Sequence, residues 1–268
     1  MSRRLWVVVP AYDEAGAIGG TLTALAAQTD PDFALVVVDN NSTDGTGDVV
    51  RRFAAGAPFP VDVVTEPRPG AGTAADTGCR HAIAAGATLL LRTDADCRPA
   101  PDWVATAKAL LDGGAEMVCG RSVPRRDERP SFAERRLFPA AVRAAGVYGR
   151  FRRTHRAAGF RTPYVLCHGH NLALTADLYV RCGGIPRITL RDGADDLDLL
   201  NRARRHTGSC RHRLRPVHHQ PPDRIVRAEH MVVENSLRRL RAWGPRRTLL
   251  WYWDRRWQPT EPEGDHVR

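Results

Sequence analysis

The chain has 268 residues, of which 43% are hydrophobic, and a formal charge of +10 that comes almost entirely from arginine. A chain of this length and composition suits one α/β domain, or one domain with a helical appendage, and needs no disulfides to stabilise its core. No run approaches the ~20 apolar residues that span a bilayer, no secretory signal opens the chain, and the six cysteines contain no Cys-x-x-Cys pair, so we expect a cytoplasmic protein with free thiols and no zinc site.

The first 120 residues alternate strand-like and helix-like segments. Short apolar runs predict buried strands at 5–9, 33–38, 61–64, 88–91 and 117–119. Helical spacing predicts helices at 17–27, 44–53, 73–85 and 102–111. Alternation of this kind implies a mostly parallel sheet with helices on both faces.

The second half is less regular. It suggests a basic amphipathic helix at 131–161 broken by glycines, a strand at 165–174, a short helix at 175–182 and another helix at 196–205. Thr175 is the predicted cap of the short helix, and Gly183-Gly184 is its predicted stop. Residues 229–257 form a basic, aromatic tail, and no linker separates domains.

Acidic residues follow three of the predicted strands. Glu14 comes after the first strand, Asp39 ends the second, and Asp94 and Asp96 follow the fourth. Ligands of parallel sheets bind beyond the carboxyl ends of the strands. Paired carboxylates suit Mg²⁺ or Mn²⁺, which neutralise the charge of a departing diphosphate. The pattern predicts a nucleotide site at this edge, although Asp-x-Asp alone also occurs in solvated turns.

Several motifs in order give the chain a family resemblance. They are VVVPAYDE at 7–14, VVVDNNSTDGT at 36–46, TDAD at 93–96, GHNLAL at 169–174, Gly183-Gly184 and ADDLDL at 194–199. Together they resemble the inverting nucleotide-sugar glycosyltransferases of family two over roughly residues 5–208. The resemblance implies a GT-A fold, which is a Rossmann-like, mostly parallel central sheet flanked by helices, here with a helical basic C-terminal extension.

The resemblance also implies roles on the donor side. Pro10, Tyr12 and Glu14 would line the nucleotide pocket, and Asp39 would accept a hydrogen bond from the base of a UDP- or GDP-type donor. Asp94 would meet ribose or sugar. The metal ion, Mg²⁺ or Mn²⁺, would be held by Asp96, with a third contact from His218 or its neighbour His219.

Asp196 is the predicted catalytic base. Inversion by one displacement needs a single base opposite the leaving group, to take the proton of the acceptor hydroxyl. The usual Glu-Asp of the family is Asp195-Asp196 here. The alternative interpretation is an acid-rich helix N-terminus favoured by the helix dipole.

Two departures from the family pattern qualify the comparison. Ala75-Asp76 stands where the family often has Arg-Asn, so a phosphate or sugar contact is either lost or supplied by Arg68, Arg92 or Arg98. The chain also lacks the Gln-x-x-Arg-Trp signature and the membrane helices of processive synthases, which favours single sugar addition over polymerisation.

The predicted organisation follows from these motifs. Residues 1–225 form the GT-A domain, with a nucleotide-sugar-binding half at 1–120 and an acceptor-binding half at 121–225, and residues 226–268 form an amphipathic extension. Arginines interleaved with tryptophans in that tail suit a membrane interface. They predict peripheral docking at the inner face of the membrane and a lipid-linked acceptor, with small-molecule and glycan acceptors left open. Alternatively, the tryptophans pack on the domain.

Two other functions compete with glycosyl transfer. A sugar-nucleotidyltransferase of similar fold requires a Gly-rich loop with Arg and Lys straight after the first strand, and residues 10–14 are not such a loop. The other alternative is a basic nucleic-acid-binding protein. Carboxylates at three strand ends would repel the phosphates of a nucleic acid unless a cation intervened. We therefore expect a nucleotide-sugar donor and no nucleic-acid partner.

Overall fold

The structure is a computed structural model that describes residues 4–151, 162, 164–185, 187, 195–207 and 224–254, leaving aside the side chains of 195 and 251–254. The predicted metal ligand His218 and its neighbour His219 lie outside the described residues. So does the far end of the tail.

A central sheet of eight strands organises the molecule. The strands are β1 Leu5–Ala11, β2 Ala34–Asp39, β3 Val61–Thr65, β4 Leu89–Arg92, β5 Arg98–Pro99, β6 Met117–Pro124, β7 Leu172–Thr175 and β8 Ile225–Asn235. Their order is β3-β2-β1-β4-β7-β6-β8-β5. The pairs among β3, β2, β1 and β4 are parallel, β7 is antiparallel to both of its neighbours, and β8 runs parallel to β6. The predicted α/β fold with a mostly parallel sheet is confirmed.

Helices cover both faces of this sheet. They are α1 Ile18–Ala26, α2 Thr46–Ala54, α3 Ala71–Ala84, α4 Trp103–Asp112, α5 Phe138–Phe151, α6 Ala176–Arg181, α7 Asp195–His206, α8 Arg238–Trp243 and α9 Pro245–Asp254, with a π-helical turn at Ala133–Leu137. Across the described ranges, none of the helices has the length and apolar composition that a membrane crossing requires.

The strand β1 shows why the central strands are continuous apolar runs. Successive side chains of a strand point to opposite faces. Val7 and Val9 pack into a core with α1 and α4, whereas Trp6 and Val8 pack into a second core with α3 and α6. A strand buried on both faces has no place for polar side chains.

The structure corrects the predicted boundary of the C-terminal extension at residue 226. Residues 225–235 form β8 within the sheet, and the helical part begins only at Arg238. The bulge in β8 explains the difference. Gly120 pairs with Ala228 and Arg121 with Val232, so three residues of β8 have no partner on β6. The buried positions 225, 228 and 231 therefore recur every third residue and imitate a helix.

Two further expectations for the second half also need correction. Of the predicted strand at 165–174, only residues 172–174 are regular strand, as part of β7, and residues 164–168 carry no regular structure. The helix α5 runs unbroken through Gly146 and Gly149, because these glycines lie against Leu166 and Tyr164 and let the helix approach the domain closely.

Asp76, one of the departures from the family pattern, has a structural role. Its buried carboxylate accepts hydrogen bonds from Tyr179 at 2.6 Å, Arg80 at 2.8 Å and Arg187 at 3.2 Å. Arg187 also pairs with Glu66 at 2.6 Å. The carboxylate therefore links α3 to α6 and to the segment that precedes α7.

Close packing of α3 on the sheet gives a test of the fold. A Cβ added at Gly78 would lie 2.5 Å from Cγ1 of Val8 and 2.9 Å from Cγ2 of Val38. We expect Gly78→Ala to lower the free energy of unfolding by about 1–3 kcal/mol, since both contacts come from central strands that cannot yield. Urea denaturation measures this.

Gly19→Ala is the matched control for this substitution. Gly19 lies in α1 with no atom within 4 Å of an added Cβ, so alanine there should stabilise the protein by up to about 1 kcal/mol. Equal denaturation midpoints for the two variants would contradict the proposed packing of α3.

Candidate functional site

The loops that follow β1 and β2 are tied together by hydrogen bonds. The Asp13 N–H donates to Oγ of Ser42 at 3.1 Å, and the Thr43 N–H donates to Oδ1 of Asp13 at 2.7 Å. The Glu14 N–H donates to Oγ1 of Thr46 at 2.8 Å. Asp13 adopts a positive φ of 48° to make these contacts. The two loops thus form one rim beyond the sheet.

The predicted nucleotide-binding residues lie along this rim. Pro10 is buried within β1 beside Val38, and Tyr12 follows the end of β1 in a half-buried position. Asp39 ends β2, and its Oδ1 accepts the N–H of Ser42 at 3.0 Å. One carboxylate oxygen of Asp39 thus closes a turn with Ser42. Pro10, Tyr12 and Asp39 share one edge of the sheet.

The acidic pair Asp94 and Asp96 lies at the same edge, because β4 pairs with β1 in parallel. Oδ1 of Asp94 and Oε2 of Glu14 are buried and accept no hydrogen bond from the described residues. Oδ1 of Asp94 is 3.8 Å from Nη2 of the buried Arg92. Buried carboxylate oxygens that accept no hydrogen bond are suited to binding a hard cation.

An arginine that the sequence analysis did not assign to the site bridges these acids. Nη2 of Arg238 donates to Oε1 of Glu14 at 2.5 Å and to Oδ2 of Asp96 at 2.8 Å. Arg238 is the first residue of α8, far along the chain from both carboxylates. The sequence offered no signal for it, since it is one of many arginines in a basic tail.

The pKa values of the three acids diverge. Burial raises the pKa of Glu14, and the charge of Asp96 adds to that effect against the opposing hydrogen bond from Arg238. Burial likewise raises the pKa of Asp94, opposed by Arg92 and His170. Burial also disfavours charge on Asp96, but the hydrogen bond and charge of Arg238 outweigh it and hold the pKa below its ordinary value. A positive charge close to the carboxylates of Glu14, Asp94 and Asp96 is therefore needed to keep all three ionised.

His170 is a second residue of the site to which the sequence analysis gave no role. Its Nε2 is 2.6 Å from Oγ of Ser122, and its ring stacks on His168. Burial lowers the pKa of His170, while the negative charges of Asp94, Asp96 and Asp196 oppose that shift. The ring therefore lies within electrostatic reach of all three carboxylates.

Asp196 lies at the start of α7. The residue is buried, and Oδ1 of its carboxylate accepts the N–H of Leu197 at 2.7 Å. That bond fits the alternative interpretation of an acid favoured at a helix N-terminus. The negative charge of Asp196 nevertheless acts on His170, as the charges of Asp94 and Asp96 do.

A cavity opens beside the acidic cluster. Asp94, Asp96 and His170 are among its lining residues. Its walls combine apolar and basic side chains, among them Phe138, Val142, Leu166, Leu240, Arg121, Arg143, Arg227 and Arg239. Such a lining suits a ligand that has both an apolar part and a negative charge.

The three arginines considered as substitutes for the missing Arg-Asn pair differ in position. Arg92 contacts Asp94 as described above, and Gly169 packs against its guanidinium. Arg98 is ion-paired with Asp127 at 2.8 Å. The backbone N–H of Arg68 donates to Oε1 of Glu66. Of the three, Arg92 is the one in contact with the acidic pair.

A divalent cation at this site would bind carboxylate oxygens of Glu14, Asp94 and Asp96. Within 4–151 and the other described ranges, no three His, Cys, Asp or Glu side chains converge tightly enough to hold a metal ion. The two buried carboxylate oxygens without a hydrogen bond and the hard donor set nevertheless fit Mg²⁺ or Mn²⁺. His218 is outside the described residues, and its role stays a prediction.

Comparisons with known proteins identify related sequences and structures. The model of glycosyl transferase family 2 matches residues 6–179. Glycosyltransferase AglE of Haloferax volcanii is 31% identical over 117 residues, which are 42% of this chain and 38% of AglE. Polyprenol monophosphomannose synthase of Mycolicibacterium smegmatis is 29% identical over 152 residues, which are 56% of each protein. The matched segment thus spans little more than half, or less, of these relatives.

A solved structure extends the similarity beyond the matched segment. The mannosyltransferase PcManGT of Pyrobaculum calidifontis, solved in complex with GDP-Man and Mn²⁺, superposes with a TM-score of 0.57 at 27% identity. The superposition covers 87% of this chain and 56% of that one. The chain belongs to glycosyl transferase family 2 and has the GT-A fold.

Proposed function

We propose that the protein transfers a sugar from a UDP- or GDP-type nucleotide-diphosphate sugar to an acceptor hydroxyl, with inversion in a single displacement. One observation carries the proposal: carboxylates from separate loops meet at one edge of the sheet and share the guanidinium of Arg238. PcManGT, solved with GDP-Man and Mn²⁺, supports both the donor class and the cation.

On the donor side, the rim formed by the loops after β1 and β2 receives the nucleotide. Tyr12 offers an aromatic face, and Asp39 offers a carboxylate to the N–H of the base. Asp96, together with the buried oxygens of Glu14 and Asp94, would hold Mg²⁺ or Mn²⁺. The cation supplies the positive charge that the departing diphosphate requires.

On the acceptor side, Asp196 takes the proton of the attacking hydroxyl. A general base must lie across the sugar from the leaving group and remain ionised at working pH. Asp196 is buried at the start of α7. His170 feels the charges of this carboxylate and of the acidic pair, and its ring would orient groups that bridge the two.

The proposed acceptor is lipid-linked, and the proposed location is the cytoplasmic face of a membrane. The mixed apolar and basic lining of the cavity favours an acceptor with both characters. One relative of this chain is named polyprenol monophosphomannose synthase, and the polyprenol in that name is a lipid. The name supports a lipid-linked acceptor for this chain as well. The absence of the Gln-x-x-Arg-Trp signature favours a single addition.

Replacing the proposed base should affect turnover and spare donor binding. We expect Asp196→Asn to lower kcat by about 10² or more, the scale of general-base loss. Donor affinity, measured by calorimetry, should stay near normal. Asp198→Asn is the matched control, because Asp198 is an exposed carboxylate on the same helix. Similar turnover in the two variants would remove Asp196 from the role of base.

Replacing the proposed metal ligand should affect binding first. We expect Asp96→Ala to abolish the metal-dependent part of nucleoside-diphosphate binding, since the cation loses a hard oxygen ligand. Titration of UDP and GDP with and without Mn²⁺ measures this. An unchanged affinity in the presence of Mn²⁺ would refute the role of Asp96.

Removing the guanidinium of Arg238 should strengthen metal binding when no nucleotide is present. Arg238 and a divalent cation compete for the same oxygens of Asp96, so Arg238→Gln should tighten Mn²⁺ binding without nucleotide by about fivefold to tenfold. Mn²⁺ electron paramagnetic resonance measures the free ion. Weaker Mn²⁺ binding in this variant than in the parent protein would place the metal elsewhere.

A further inference from the structure

Exposed apolar side chains concentrate on one segment of the molecule. Among the described residues, seven large hydrophobic side chains are exposed, and five of them lie between residues 132 and 151. Phe132 and Phe151 are the most exposed of the five, at 74% and 63%. Leu137, Val147 and Tyr148 complete the set. This segment comprises the π-helical turn and α5.

The C-terminal half of α5 carries small residues inward and large apolar residues outward. Gly146 and Gly149 face the domain, where an added Cβ would lie 3.1 Å from Leu166 and 2.7 Å from Tyr164. Val147 and Phe151, four residues apart, share the outer face. An ordinary surface helix has the reverse arrangement, with large apolar residues buried and polar residues exposed. The glycine contacts fix this orientation, because larger residues do not fit beneath the helix.

Arginines flank the exposed apolar stripe. Arg136, Arg143 and Arg150 recur every seven residues and therefore follow one side of the helix. Residues 131–151 contain four arginines and a single acidic residue, Glu134, which gives a net charge of +3. The carboxylate of Glu134 is itself paired with Arg241 at 2.9 Å. No negative charge on the segment is left to attract a second copy of this face.

We propose that this surface docks the protein onto an anionic lipid bilayer. The surface, named the α5 face, consists of Phe132, Leu137, Val147, Tyr148 and Phe151 with Arg136 and Arg150. Its apolar side chains would enter the boundary between headgroups and acyl chains, and its arginines would pair with lipid phosphates. The positive charge favours this occupant over a second copy, since two α5 faces repel each other.

The helix that bears the docking face also lines the candidate cavity. Phe138, Val142 and Arg143 of α5 are among the lining residues, as are Asp94 and Asp96. The helix α9, which bears the exposed Leu250, packs against α5. A bilayer held against α5 would therefore lie within one helix diameter, about 10 Å, of the cavity. The inference concerns binding to lipid and does not require the proposed sugar transfer.

Vesicle binding of the full chain tests the proposal. We expect the parent protein to co-sediment with vesicles of phosphatidylcholine and phosphatidylglycerol, and much less with phosphatidylcholine alone. The double variant Val147→Ser/Phe151→Ser should lower the partition coefficient for the mixed vesicles more than tenfold. Arg136→Gln/Arg150→Gln should lower it severalfold and remove most of its salt dependence.

The matched control is Val180→Ser, because Val180 is equally exposed, at 62%, but lies on α6. Its vesicle binding should equal that of the parent protein. Thermal melting and Mn²⁺-dependent nucleotide binding, measured without vesicles, should be unchanged in every variant. These readouts separate a failure of docking from a failure of the donor site.

Two results would overturn the proposal. Equal partition of the parent protein and the Val147→Ser/Phe151→Ser variant would show that the α5 face does not meet lipid and that any docking uses another part of the chain. A dimer seen by sedimentation velocity in the parent protein but absent in that variant would make the α5 face an interface between copies.

Discussion

The site depends on one electrostatic constraint, which is the crowding of carboxylates at the edge where parallel strands end. The pairing of β1 with β2 and β4 places Glu14, Asp39, Asp94 and Asp96 beyond the same edge. Like charges in a partly buried site raise each other's pKa unless a cation compensates. Arg238 provides that compensation for Glu14 and Asp96, and a divalent ion with a nucleotide diphosphate can take over the same function.

Compensation by a movable side chain has a practical advantage over permanent neutralisation. A guanidinium on a side chain with several rotatable bonds can leave the carboxylates when a stronger ligand arrives, while the backbone stays in place. The hydrogen-bonded loops after β1 and β2 keep the acids in position in either case. The site is therefore preorganised in the backbone and adjustable in one side chain.

The sequence predicted the parts of the fold that local patterns control. Apolar runs located β1, β2, β3 and β4, because strands buried on both faces exclude polar residues. The strand ends then located Asp39, Asp94 and Asp96, because loops at the carboxyl edge carry the polar groups.

Contacts between distant parts of the chain escaped prediction. The position of Arg238 depends on a strand and a turn far from the acids, and nothing local distinguishes it from neighbouring arginines. The function of Asp76 depends on Tyr179 and Arg187, which are more than a hundred residues away. The strand β8 was missed because its bulge disguises the period of two that identifies strands.

The bulge in β8 also determines how the chain tolerates insertions and deletions. Side chains on a strand alternate between two faces, and a slip of the pairing register by one residue reverses them. The residues after the bulge keep their faces because they pair with β6, Val232 with Arg121 and Val233 with Ser122. Arg238 follows the end of that strand by only three residues. A change of length within the unpaired residues can therefore be absorbed before the strand pairs again, whereas a deletion after Val233 would move Arg238 away from the acids.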